Sequence, residues 1–233
     1  DLFLPHVIGL KEIDTVELEE YRAIVLSNIR RLPIYFINKL ENYIKKGYGA
    51  FISVGEKVDI DIYNRDLFRD GDGILPLPLK KIVNTTQQIE WIDQSHHALS
   101  PFRRIARDAL QRIKIRTWVN VGDISKHVDV LVRLKNRAPL ILQKKYGEGR
   151  VILITTTIDT NWTNLPIRPV FLPFVHTCIG FLASKIIPPR NIYPGELIAV
   201  RVKDIKRPDC KLYDPYGKEC KIEYEHKEDE WYI

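Results

Sequence analysis

The chain has 233 residues, 45% hydrophobic and 28% charged, the profile of a globular protein with room for one large domain, or one domain and a small module. Its 36 basic and 30 acidic residues leave a net charge of +6, but the basic residues fall in scattered pairs such as Lys45-Lys46, Lys80-Lys81 and Lys144-Lys145. No run is long enough for a nucleic-acid or membrane patch, so neither partner is expected.

Residues 1–20 do not read as a signal peptide, and none is expected within them. The lack of Met and an ending inside the strand-like Trp231-Tyr232-Ile233 lead us to expect a piece of a longer protein.

Residues 22–28 (RAIVLSN) are an apolar run suited to a strand buried on both faces of a parallel sheet. Pro33 then opens a helix where proline is tolerated. Ile34, Ile37, Leu40, Glu41 and Ile44 give it one stripe, and Gly47 and Gly49 end it. Residues 50–54 (AFISV), closed by Gly55, read as a second buried strand, so a right-handed crossover is predicted. Residues 56–82 read as irregular, with a short helix near 63–68 and a loop marked by Asp70-Gly71-Asp72-Gly73, Pro76 and Pro78.

A short strand is predicted at 89–92. Helical spacing of Phe102, Ile105, Ala106, Ala109, Leu110 and Ile113 predicts a helix over 103–113. The period then shortens. Residues 117–121, 128–134 and 140–145 read as strands, with Val128, Val130, Val132 and Leu134 alternating with Asp129 and Arg133. Gly147-Glu148-Gly149 turns the chain into 151–156 (VILITT), an apolar and central strand covered by a helix over 168–186. The apolar stretch 170–187 nears the length of a membrane span. Pro173, His176, Ser184 and Lys185 interrupt it, so a buried helix is expected.

Pro188-Pro189 marks a linker, followed by short strands at 197–202, 210–213, 220–224 and 231–233. The predicted division is therefore an α/β domain over 1–189 and the start of a small β domain over 190–233. Of the three cysteines, Cys178 falls in the apolar helix and reads as core. Cys210 and Cys220 flank the turn Asp214-Pro215-Tyr216-Gly217. A two-residue loop pairs Cys210 with Lys221 and turns Cys220 to the opposite face, so a disulfide needs a bulge or another register. Cysteine usage thus leaves the redox compartment open.

In open α/β sheets, ligands sit beyond the C-terminal ends of the strands. Gly55, Glu56, Lys57 and Asp59 follow the second strand there. Asp159, Asn161 and Trp162 follow the last. The two groups can face each other across one crevice. Each also has a structural reading: Asp159 caps a helix start near Thr160, and Trp162 packs its loop onto the sheet. No metal or other cofactor is expected. His96 and His97 are adjacent and point opposite ways in an extended segment, the other histidines are isolated, and Gly71 and Gly73 lack the Lys-Ser or Lys-Thr of a phosphate loop.

Several segments carry a resemblance. YRAIVLSNI at 21–29, YIKKGYG at 43–49 and FISVG at 51–55 resemble the class I glutamine amidotransferase fold. HALSPF at 97–102, YGEGRV at 146–151 and TTTIDTNWTNLPIRP at 155–169 are similar, more narrowly, to the amidotransferase-like domain of Bat aerotolerance and von Willebrand A type bacterial membrane proteins.

The resemblance spans about residues 15–190. It implies a flavodoxin-like three-layer sandwich, with a parallel core sheet and antiparallel additions, continuing into a partial small β-sandwich. It also implies an extracytoplasmic domain of a membrane-anchored protein, working with protein partners or with other domains of the same protein.

An active member needs Cys in a Gly-x-Cys-x-Gly turn, activated by His with a carboxylate behind it. Here Ser53 stands at that place, Phe51 replaces the first glycine, and Ile158-Asp159-Thr160 stands where a His-x-Glu pair is sought. The resemblance therefore implies a non-catalytic binding or scaffolding module whose vestigial pocket holds Ser53, Gly55, Glu56, His97, Asp159 and Trp162. The alternatives are a hydrolase or amidotransferase-like enzyme using Ser53 with His97 or Asp159, and a small-ligand sensor around Glu56 and Trp162.

Overall fold

The computed structural model describes residues 3–104 and 107–184, and in the C-terminal segment 201–202, 211–213, 216–220, 225–227 and 230–232. The alternation of short apolar runs with amphipathic stretches resolves as follows. Strand β1 (Ala23–Ser27), helix α1 (Ile34–Lys45) and strand β2 (Gly49–Ser53) form the first unit. Helix α2 (Ile60–Tyr63) leads through a π-helical turn, Asn64–Phe68, to β3 (Leu79–Val83) and β4 (Gln87–Ile92). A 3-10 stretch, His97–Arg104, precedes α3 (Arg107–Gln111), β5 (Lys114–Ile115), β6 (Trp118–Val121), β7 (Val128–Leu134), β8 (Pro139–Tyr146), β9 (Gly149–Ile154) and α4 (Phe171–Ala183).

Seven strands make the main sheet, in the order β1-β2-β9-β8-β7-β4-β5. The first three run parallel, with Ser27 beside Ser53 and Ser53 beside Ile154. From β9 onward every pairing is antiparallel. Strand β3 pairs with β6 in a separate two-stranded sheet. The architecture is a flavodoxin-like α/β sandwich.

Because successive strand residues face opposite ways, each central strand feeds two cores. Ala50, Ile52, Val151 and Leu153 pack with Leu40 and Ile44 of α1. Phe51, Ile152 and Ile154 pack with Phe174, Cys178 and Leu182 of α4. Helix α1 lies so close to the start of β9 that a Cβ on Gly149 would sit 2.2 Å from the Ile44 carbonyl oxygen. Only glycine fits there. Cys178 is core, as expected, and burial pushes its thiol well above the usual range.

Several expectations need correction. Among the described residues only β2 pairs with β1, which makes it an edge strand with Val25 45% exposed, not a strand buried on both faces. Pro33 caps α1 from outside instead of opening it. The region 56–82 contains β3, which was hidden because Leu79-Lys80-Lys81-Ile82-Val83 breaks strict alternation at a bulge. The short helix starts earlier, at Ile60, where the Asp59 carboxylate accepts from the Ile62 N–H. The helix predicted over 103–113 is reduced to α3, after a 3-10 stretch that contains Pro101. Helix α4 starts three residues late because Arg168, preceding Pro169, is held extended at φ −96°, ψ 141°.

The chain divides into two compact units, Asp1–Ile186 and Ile187–Ile233. In the second unit, β10 (Arg201–Val202), β11 (Leu212–Tyr213), β12 (Glu219–Cys220), β13 (Glu225–Lys227) and β14 (Glu230–Tyr232) pair antiparallel: β10 and β13 with β14, and β11 with β12. Cys220 stands opposite Leu212, one residue out of the register of a two-residue loop. Cys210 lies outside the described residues, and with it the question of a disulfide. The remaining parts of the strands expected at 197–202, 210–213, 220–224 and 231–233 lie outside them too.

A buried cation organises the loop between the π-helical turn and β3. Lys144, 8% exposed, donates from Nζ to the carbonyl oxygens of Gly71 at 2.5 Å and Gly73 at 2.6 Å. Burial draws its amine below the usual lysine range, and the charge of Asp72 opposes this. Beside it Arg69 pairs with the buried Glu41 at 2.6 Å. Lys144→Met keeps the stem and removes both donors. Urea unfolding should show a loss of about 2 kcal/mol with an unchanged denaturant slope.

Candidate functional site

The C-terminal ends of β1, β2 and β9 lie side by side, and the loops that leave them meet there. Asn28 follows β1 with a φ of 50°, a left-handed conformation that Asn tolerates better than most side chains. Its backbone N–H donates to the Ser53 carbonyl at 2.9 Å. Its side chain then reaches the turn after β2: Oδ1 accepts from the Lys57 N–H and Nδ2 donates to Glu56 Oε1, both at 3.0 Å. Gly55 lies directly beneath, where a Cβ would fall 2.4 Å from Asn28 Cγ. Gly55 and Glu56 are thus brought together by a residue that was not singled out in the sequence. The signal available was an Asn directly after an apolar strand, a common left-handed or turn position.

Ser53 sits at the centre of this end of the sheet. It is 1% exposed, and its hydroxyl donates to the Thr156 carbonyl at 3.1 Å. Thr156 in turn donates from Oγ1 to the Thr117 carbonyl at 2.9 Å. The side chain at the nucleophile position therefore stitches β2 to the chain leaving β9.

Asp159 closes an Asx turn, accepting from the Asn161 N–H at 2.8 Å and from Asn161 Nδ2 at 3.2 Å. It does not cap a helix. The next helical turn, Leu165–Ile167, has Asn164 at its N-cap. Thr157 Oγ1 donates to the Asp159 carbonyl and accepts from the Trp162 N–H, each at 3.3 Å. Trp162 is buried in the same core as Val54, Val58 and Val119. Its carbonyl accepts from the Arg116 and Thr117 N–H groups at 2.7 and 3.2 Å. The loop after β9 is thus anchored on its own side chains and on the segment before β6.

The histidines divide. His97 is exposed. His96 is half-buried, edge-on to Phe181 with ring centroids 4.7 Å apart, and its Nε2 meets Gln143 Oε1 at 2.9 Å. The Ala98 N–H donates to its Nδ1 at 3.3 Å. An acceptor Nδ1 and a carbonyl partner at Nε2 fix the neutral tautomer protonated on Nε2. Burial holds this imidazole below the usual histidine range. The hydrogen bond to Gln143 and the carboxylates of Asp93 and Asp129 oppose that, and His97 adds to it. His96 thus serves the start of the 3-10 stretch, and Ser53 is bonded to Thr156.

No family model matches the chain, and no curated protein matches it. Solved structures do. A cytoplasmic protein of Salmonella typhimurium aligns with a TM-score of 0.59 at 16% identity, over 74% of this chain and 75% of that one. A second, from strain LT2 of the same bacterium, aligns at 0.55 and 14% identity, over 74% and 75%. The likeness is one of fold. At such identity, function has to be argued from the site.

Two outcomes follow from this geometry. Gly55→Ala should displace the Asn28 side chain and cost about 1–3 kcal/mol. Combining it with Asn28→Gly, which suits the left-handed backbone, should recover part of that loss in a double-mutant cycle of denaturation free energies. His96 has a depressed folded-state pKa, so the unfolded chain takes up its proton first. Stability should therefore hold above about pH 6.5 and decline as pH falls below it. In His96→Gln that decline should be shallower by about one proton, as read from unfolding midpoints between pH 8 and 5.

Proposed function

We propose that this chain is a non-catalytic member of the amidotransferase-like group. In this reading it is a binding and scaffolding module of a larger membrane-anchored bacterial protein, placed extracytoplasmically. The observation that carries the reading is Ser53. At the position of the family's nucleophile stands a buried hydroxyl that already donates to a backbone carbonyl. A nucleophile needs a base at hydrogen-bonding distance and a substrate in front of it. The hydrogen bond to Thr156 and the burial of Ser53 favour a structural role instead.

Among the described residues, no helix is long and apolar enough to cross a membrane, and in this reading the anchor is carried by another part of the larger protein. One further observation supports the reading. Apolar side chains that a binding module presents lie outside the core: Leu4 and Val7 are each 90% exposed, and Val25 lies on the open edge strand. The partners are then other domains of the same protein or separate proteins.

A fluorophosphonate probe tests the central claim. The purified chain should show no adduct by intact-mass spectrometry and no ammonia release from glutamine, and Ser53→Ala should be indistinguishable from it in both assays. Stoichiometric labelling at Ser53 would end the non-catalytic reading.

A further inference from the structure

The two edges of the main sheet are finished differently. At one edge β5 has only two residues, Lys114 and Ile115, and the loop after β9 engages its backbone. Ile115 bridges to Thr163, the Asn164 N–H donates to the Lys114 carbonyl at 3.1 Å, and Asn164 Oδ1 accepts from the Lys114 N–H at 2.7 Å. A short, charged and covered strand is how a protein keeps a sheet edge from pairing.

Strand β1, at the other edge, has none of these devices. Its five residues, Ala23–Ser27, include no charge and no proline, and its register against β2 is unbroken. Val25 is 45% exposed, and Ser27 is exposed too. The Asn28 N–H points to β2, where it bonds the Ser53 carbonyl. By alternation, the backbone groups of Ala23, Val25 and Ser27 point away from β2. Among the described residues no strand takes them up.

This edge is complementary to itself. A two-fold axis through Val25 sets an antiparallel copy of β1 with Val25 opposite Val25, Ala23 opposite Ser27 and Ile24 opposite Leu26. The outward backbone groups then meet as hydrogen-bonded pairs, and apolar side chains meet across the ladder. The charges at the strand ends agree with that direction. Glu20 precedes the strand and Arg30 follows it; both are exposed, and neither forms an ion pair among the described residues. The same rotation brings Glu20 of each copy to the Arg30 end of the other, while Arg22 falls opposite the neutral Asn28. A parallel copy would set Glu20 beside Glu20 and Arg30 beside Arg30, which is unfavourable.

We propose that β1 is the docking edge for a second copy of this chain, added antiparallel about Val25, so that two seven-stranded sheets become one across an isologous interface. The proposal stands whether or not Ser53 is catalytic, since the edge strand takes part in neither reading. A five-residue ladder is a small interface, so the dimer is expected to dissociate at about 1–100 µM.

Sedimentation velocity of the purified chain over about 1–300 µM tests this and should show a reversible monomer–dimer equilibrium. Amide hydrogen exchange at Ala23, Val25 and Ser27 should slow as the dimer forms. Val25→Lys, a charge at an exposed edge position, should weaken the dimer by about tenfold or more and leave the unfolding midpoint near that of the parent. Glu20→Arg should weaken it at low salt, and Glu20→Arg combined with Arg30→Glu should restore it. A chain that stays monomeric across the series would overturn the proposal and leave the edge to a different partner. So would a dimer that Val25→Lys leaves intact, one whose three amides exchange as fast as in the monomer, or a charge swap that fails to restore association.

Discussion

The five residues of β2 pair with β1 on one edge and β9 on the other, while Ala50 and Ile52 face one core and Phe51 the other. All five are buried. A strand in that position has no route to water, so each of its polar groups needs a partner inside the protein. At its last residue the ladder ends, and Ser53 supplies the continuation: its carbonyl accepts from Asn28 and its hydroxyl donates to Thr156. The turns after β1, β2 and β9 are thereby fixed relative to one another. Gly55 can then tuck under Asn28, and Trp162 can complete the core beside Val54. Closure of this end of the sheet is a consequence of satisfying one buried strand.

The sandwich was legible because its central strands and α1 are strongly patterned. VILIT and AFIS are apolar over a length that suits strands with both faces covered, and Ile37, Leu40 and Ile44 repeat at helical spacing. What stayed hidden depends on partners far along the chain. Residues 22–28 are as apolar as a central strand, but β1 is an edge because no further strand among the described residues pairs with it, and composition does not report pairing. Strand β3 carries two adjacent lysines where alternation would place only one exposed residue, and the bulge that accommodates them appears only against β6. The start of α4 was misplaced for a local reason that was present in the sequence: Pro169 restricts the residue before it, Arg168, to an extended backbone.

The candidate site divides in the same way. Ser53, Gly55 and Glu56 sit together as the strand-end rule predicts, and the residue joining them is Asn28, 25 positions before Ser53 in the chain. Asp159 and Trp162 sit in the expected loop but spend their polar groups on it: the Asp159 carboxylate on Asn161, and the Trp162 backbone on Thr157, Arg116 and Thr117. His97 and His96 differ although adjacent, since one faces solvent and the other is locked between Gln143 and the Ala98 N–H. Residue type and spacing identify which side chains are capable of chemistry. Whether a side chain is available depends on hydrogen bonds that no single segment contains.

Lys144 gives the loop before β3 an unusual independence. Two carbonyl oxygens, from Gly71 and Gly73, converge on its ammonium, with the carboxylate of Asp72 nearby. Converging carbonyl and carboxylate oxygens are the donor set with which proteins hold hard cations. Here the cation is tethered to the chain by a covalent stem, so it cannot be chelated, exchanged or diluted away. The loop has the wiring of an ion-organised segment with its ion built in, and its shape is set at translation instead of by the ionic composition of the compartment in which the protein works.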